Sequence, residues 1–208
     1  MGKLLFEDNI FNRTMTKLFD LLVIGILTVI CCLPIVTGGA AITSAYRVLM
    51  KMQKDHEGTI TGSYFREFKS NLKESFGGWF LIILVVTLLT FDLSVWTSSE
   101  SGIRGIAYGV TVVTFASVLA VIEWYFAIRA TFEETTISSI KKALSFAVVY
   151  MWQTVVLAIY DLVMLYIITR SGYFIFHIVV FGFGIITFPK MFLINNAIDR
   201  FIEEKTIE

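Results

Sequence analysis

Apolar residues fall into five runs, at positions 18–33, 77–96, 103–128, 143–168 and 173–194, and the charged residues gather between them. Each run is near or above the about 20 residues that cross a hydrocarbon core of ~30 Å. The short alternating segments of a membrane β-barrel are absent. The pattern predicts an all-α, polytopic helical membrane protein with a single membrane domain, 1–208. Within it we expect five full transmembrane helices plus a broken first hairpin, whose return leg forms a short sixth membrane helix. The parts are the broken hairpin (1–58), an interfacial helix with a second hairpin (59–134), and a third hairpin with a cytoplasmic tail (135–208).

The break reads "CCLPIVTGGAAITSAYR". Pro34 removes a backbone donor, and Gly38 and Gly39 accept dihedrals that other residues refuse. The returning leg is short and rich in small residues, which suits close packing against neighbouring helices. Downstream, Phe65, Phe68, Leu72 and Phe76 recur at spacings of three and four and share one helical face, while Arg66, Lys69 and Lys73 lie on others. This predicts a helix resting on the cytoplasmic leaflet, its basic side toward anionic lipid. Phe65, Arg66, Lys69 and Lys73 form the candidate lipid or partner surface.

Composition agrees with the pattern. Hydrophobic residues make up 56% of the chain and charged residues 16%, against about a quarter charged in a soluble domain. The 17 Lys and Arg residues then orient the spans. If 18–33 crosses once, with the N-terminus outside, 12 lie inside and five outside (Lys3, Arg13, Lys17, Arg104 and Arg170). If the chain turns back at 34–39, only Arg104 and Arg170 lie outside, a split of 15 to two. The second arrangement is the more asymmetric, so both termini are expected in the cytoplasm. A shift of 70 residues aligns Ser75-Phe76 with Ser145-Phe146, Ser101-Gly102 with Ser171-Gly172, and Glu133-Glu134 with Glu203-Glu204. Same-orientation repeats are a known membrane design.

The stretch 12–49, with its asparagine-led helix, Leu-Pro-x-x-Thr break and return ending in Ala-x-Tyr, resembles the N-terminal signature of the YesL-like bacterial membrane proteins. "YFREFKSNLKESFGGWFLI" is similar to that family's second landmark. The resemblance is specific over residues 12–80. It implies a multi-pass protein of the bacterial cytoplasmic membrane, linked to sugar ABC importers and glycan-degrading enzymes, and it supplies no catalytic residues.

Ionisable residues inside membrane helices are costly and usually face the protein interior. Here they are Asp92, Glu123, Asp161 and His177, with Arg47 on the returning leg. Asp161 lies nine residues before Arg170, and Arg47 eight beyond Gly39. If the turn reaches the outer surface, both sit at a comparable depth. We therefore expect a buried polar layer of Arg47, Asp92, Asp161 and His177, with an Arg47–Asp161 ion pair, and a separate Glu123–Arg129 pair at the cytoplasmic edge. Trp79, Trp96, Trp124 and Trp152 read as interface anchors, and Gly105 and Gly109 as a weak packing motif. Cys31 and Cys32 are adjacent and cannot staple distant segments.

No phosphate-cradling Gly-rich loop or His-Glu-x-x-His pair occurs, and two histidines with adjacent cysteines make a metal site improbable. We expect no enzyme activity, cofactor, metal or nucleic-acid partner. Two functions from different classes follow. One is an accessory component of carbohydrate uptake that binds lipid and the permease subunits of a sugar ABC importer. The other is an independent small transporter or channel built on the Arg/Asp/His layer.

Overall fold

The computed structural model describes residues 10–54, 59–98, 102–132, 134–170 and 182–207. These form eight α-helices: α1 (Ile10–Cys32), α2 (Gly38–Gln53), α3 (Ile60–Asn71), α4 (Phe76–Ser98), α5 (Arg104–Thr131), α6 (Thr136–Val149), α7 (Met151–Arg170) and α8 (Gly182–Ile207). No strand occurs among the described residues. Among the described residues, three helical stretches, Thr14–Cys32, Phe76–Ser98 and Arg104–Thr131, are long and apolar enough to cross a membrane. Helices α6 and α7 make a fourth only as a broken span, because they meet at 97°.

The N-terminal break is built as its residues require. The residue before a proline avoids the helical region, so α1 stops at Cys32, and a single 3₁₀ turn at Ile35–Thr37 leads into α2. Backbone groups freed inside a membrane need partners, and here they have them. The Thr37 hydroxyl faces the carbonyls of Cys31 (2.6 Å) and Pro34 (2.8 Å), and Trp79 Nε1 donates to the Ile35 carbonyl at 2.5 Å. The paired glycines serve a different purpose from the one expected. Gly38 has ordinary helical angles, φ −56° and ψ −41°. Close approach is what excludes a side chain: a Cβ on Gly38 would lie 2.5 Å from Trp79 Cζ2, and one on Gly39 2.6 Å from Trp79 Cβ. The small return leg is buried from Gly38 to Ala41 and again from Thr43 to Tyr46.

Trp79 is also a depth marker. It lies three residues into α4, so the break sits beside the α3–α4 junction. Arg47 is expected level with Asp161 if the turn reaches the outer surface; this contact places the turn beside the start of α4.

The apolar run 143–168 is likewise not one straight helix. It bends at Tyr150, where no Pro or Gly forewarns of it. Tertiary packing holds the bend. Phe146 and Tyr150 close around the fully buried Trp124, with ring centroids 5.6 and 6.1 Å away. Thr154 Oγ1 accepts from Trp124 Nε1 and lies 3.0 Å from the Ala147 carbonyl that the bend frees. Trp124 is thus a core residue, not an interface anchor. Under the 70-residue shift Tyr150 corresponds to Phe80, which lies within continuous α4. Helix α4 and the α6–α7 stretch therefore differ where a repeat would align them. The run 173–194 falls partly outside the described residues, and its remainder opens α8.

Helix α8 packs against α1 almost backbone to backbone. A Cβ on Gly184 would meet the Leu21 carbonyl oxygen at 2.2 Å, so only glycine fits. By contrast, a Cβ on Gly105 or Gly109 would meet nothing within 4 Å. Cys31 and Cys32 are free thiols.

Candidate functional site

The residues expected to form one polar layer are distributed over three places. Arg47 does not reach Asp161. Its Nη1 donates to Glu67 Oε2 at 2.7 Å and its Nε to the Ala130 carbonyl, also at 2.7 Å. Asp92 accepts from Thr111 Oγ1 (2.7 Å) and Trp96 Nε1 (3.1 Å). It lies 13 residues beyond Trp79, roughly 20 Å along α4. His177 falls outside the described residues.

The first cluster joins α2, α3 and the end of α5. Helix α3 turns Tyr64, Glu67 and Asn71 inward, while Phe65, Leu72 and Phe76 remain exposed along with Arg66, Lys69 and Lys73. Three members of the aromatic stripe predicted from spacing therefore lie on the outer face, whereas Phe68 packs against the core beside Tyr64, and α3 seats itself by these two rings together with Glu67 and Asn71. Glu67 receives Arg47 on one oxygen and Lys51, at 2.9 Å, on the other. Burial pushes its carboxyl up, but the hydrogen bonds and charges of Lys51 and Arg47 outweigh burial and hold it below the usual carboxylate range. Arg129 completes the cluster. Its Nη1 donates to the Glu134 carbonyl and its Nη2 reaches Glu74 at 3.4 Å. The expected Glu123–Arg129 pair is not formed, because each has another partner.

Glu123 belongs to the second cluster. Lys190 Nζ bonds to both Glu123 Oε1 and Asp161 Oδ1, tying α8 to α5 and α7. All three are nearly enclosed, with 8%, 10% and 15% of the Lys190, Glu123 and Asp161 side chains exposed. Lys190 Nζ also sits 5.3 Å from the Tyr160 ring centre, a cation–π distance. Glu123 Oε2 is buried without a hydrogen bond among the described residues. One cation between two carboxylates leaves an excess negative charge when all three are ionised, and a proton on either carboxylate cancels it.

Sequence reasoning missed Lys190: although it falls inside the apolar run 173–194, it was counted only among the charges that orient the spans. The available signal was "ITFPKMFLI", a lone lysine with apolar residues on both sides. It also missed Glu67, which looked like an ordinary polar residue of a surface helix. Among the described residues, no group of three or more His, Cys, Asp or Glu could hold a metal ion.

Residues 18–93 match the family described as "Protein of unknown function, DUF624". The matched stretch holds the break, α2, α3, most of α4, and from the first cluster Arg47, Lys51, Glu67 and Glu74; Glu123, Asp161 and Lys190 lie beyond it. No curated protein and no solved structure matches the chain.

Proposed function

We propose that this chain is a non-enzymatic accessory component of carbohydrate uptake in the bacterial cytoplasmic membrane, seated beside the permease subunits of a sugar ABC importer. The resemblance of residues 12–80 to the YesL-like proteins carries this reading. The molecule supplies a suitable surface: Phe80, Leu84, Leu88, Phe91 and Val95 lie exposed along one side of α4. Lipid tails and a permease helix would satisfy such a face equally well. Purification in mild detergent decides between them. Stoichiometric recovery of permease subunits, lost when Leu84 and Leu88 are changed to tryptophan, is the expected result; recovery of the chain alone would remove the accessory reading.

A second reading, an independent small transporter, is favoured by the Lys190–Glu123–Asp161 cluster, because intramembrane ionisable groups commonly mark ion or proton paths. Lys190 takes the place that the sequence assigned to Arg47. Glu123→Gln should then abolish uptake of the cognate glycan while leaving the folded protein abundant. Unchanged uptake in that variant would leave the cluster a structural one.

The finer topology we propose has five spans plus the short α2, with both termini cytoplasmic on the strength of the Lys and Arg distribution. The position of the break beside the α3–α4 junction argues otherwise for the N-terminus. The 19-residue stretch Thr14–Cys32 of α1, about 28 Å long, would carry Thr14 to the opposite side if it stands straight across the membrane. Reporter fusions at Asp8, Glu57, Ser99 and Glu208 separate the two. Cytoplasmic signals at Asp8, Glu57 and Glu208, with Ser99 outside, fit the hairpin; an exterior Asp8 fits a single crossing.

A further inference from the structure

A pocket of about 130 Å³ opens between α3 and the C-terminal end of α5, lined by Arg47, Ser70, Asn71, Glu74, Arg129 and Phe132. One water needs about 10–15 Å³ by the same measure, so a polyatomic ligand fits. We propose that this pocket binds a phosphate-type oxyanion.

Arg129 is the reason. Its side chain is only 2% exposed, yet its sole carboxylate partner among the described residues, Glu74, is 66% exposed and stands off at 3.4 Å. An ion pair so open to water contributes little, whereas a buried charge demands a close counter-ion. Of the five N–H donors of a guanidinium, Arg129 gives one to the Glu134 carbonyl and one to that long contact, and its Nε has no hydrogen-bond partner among the described residues. Arg47 keeps donors beyond those given to Glu67, Ala130 and the Arg129 carbonyl. Asn71 donates one amide hydrogen to the Glu67 carbonyl and has a second to give. Around the pocket stand three cations, Arg47, Lys51 and Arg129, against the two carboxylates of Glu67 and Glu74, an excess of one positive charge. Two guanidiniums and an amide suit a tetrahedral oxyanion, since the planar arginine fork matches phosphate geometry. Glu74, the weakly held competitor, is free to swing into solvent as the anion enters. The same chemistry is offered by free phosphate and by a phospholipid headgroup, and the exposed Phe65, Leu72 and Phe76 flank this end of the molecule.

The test uses the full chain and two probes. In delipidated detergent solution, the thermal unfolding midpoint is followed against sodium phosphate, with sodium chloride holding ionic strength constant. In parallel, native mass spectrometry counts lipids retained from vesicles of phosphatidylglycerol and phosphatidylcholine. Glu74→Gln alters an exposed residue and should fold normally; Arg129→Lys keeps the charge but loses the fork. We expect phosphate to raise the midpoint beyond chloride, with apparent affinity about two- to five-fold tighter in Glu74→Gln, the equivalent of one exposed ion pair. In Arg129→Lys it should weaken at least about tenfold, the equivalent of a charge-assisted bond. A phosphate response identifies the free ion as a ligand. No phosphate response, but phosphatidylglycerol held by the wild type and released by Arg129→Lys, identifies the headgroup as the source. Equal behaviour of phosphate and chloride with no selective lipid retention, or responses indifferent to both substitutions, would overturn the site.

Discussion

The two ion clusters of this protein balance their charges in opposite directions. At Lys190 one cation serves two carboxylates, and all three side chains are nearly enclosed by α5, α7 and α8. At Arg47 and Arg129 the cations outnumber the carboxylates, and exposure grades from the buried Arg129 to the half-exposed Lys51 and the mostly exposed Glu74. The difference is one of surroundings. A deep charge can be matched only by groups that the helices carry to it, whereas a charge near the helix ends can draw on water, ions and headgroups. The first cluster should therefore respond to mutation as a closed unit, the second as an open one.

Four experiments would break or sharpen this contrast. The largest effect belongs to Lys190→Met, which leaves Glu123 and Asp161 enclosed without their cation. Breaking a buried pair in this way costs about 3–5 kcal/mol, so folded protein measured by size exclusion in detergent should nearly vanish. The triple change Lys190→Met, Glu123→Leu, Asp161→Leu should restore much of it. Recovery no better than in the single variant would show that the cluster is not closed.

Glu67→Ala should cost less, about 1–3 kcal/mol, because Arg47 loses a charge-assisted bond but keeps the Ala130 carbonyl. The shift in unfolding midpoint reports it. A double-mutant cycle then compares Arg47 and Lys190 as partners of Asp161. Lys190→Met and Asp161→Asn should be strongly non-additive, while Arg47→Gln and Asp161→Asn should add within about 0.5 kcal/mol. Coupling in the second cycle would revive the layer expected from spacing.

The smallest effect concerns pH. The Glu67 carboxyl lies below its ordinary value in the folded protein, so its contribution is present above the unfolded glutamate range. It is lost as the pH falls below the ordinary glutamate range and through the lowered value. Glu67→Gln should flatten the stability profile in that window and leave it unchanged near neutrality. An identical acid slope in both proteins would assign the loss to other carboxylates.

Much of the architecture was legible in the residue order. Apolar runs long enough to cross a membrane leave little choice but helices, because every backbone group must be satisfied within its own segment. Leu33-Pro34 announced the end of α1, and the small residues of 38–45 announced a buried leg. Periodicity also grouped Phe65, Leu72 and Phe76 on one side of α3 and its continuation. What periodicity could not tell is which side faces the protein. Near a membrane surface an aromatic stripe is as stable against lipid as against a core, so the polar side, with Glu67 waiting for Arg47 and Lys51, could take the inner position.

Pairing was the part left to the tertiary structure. Depth estimates put Arg47 beside Asp161 on the assumption that the turn reached the far surface. Trp79, lying against Gly38 and Gly39, holds the break beside the α3–α4 junction instead. Lys190 looked like an orienting charge because one-dimensional counting assigns every lysine to water. Its burial depends on two carboxylates 67 and 29 residues away along the chain. The bend at Tyr150 likewise has no local cause and follows from rings closing on Trp124. A sequence determines which segments must leave water, since that cost is paid residue by residue. Which charges meet is decided only when the helices pack, because the energy of an ion pair depends on distances that chain separation does not encode.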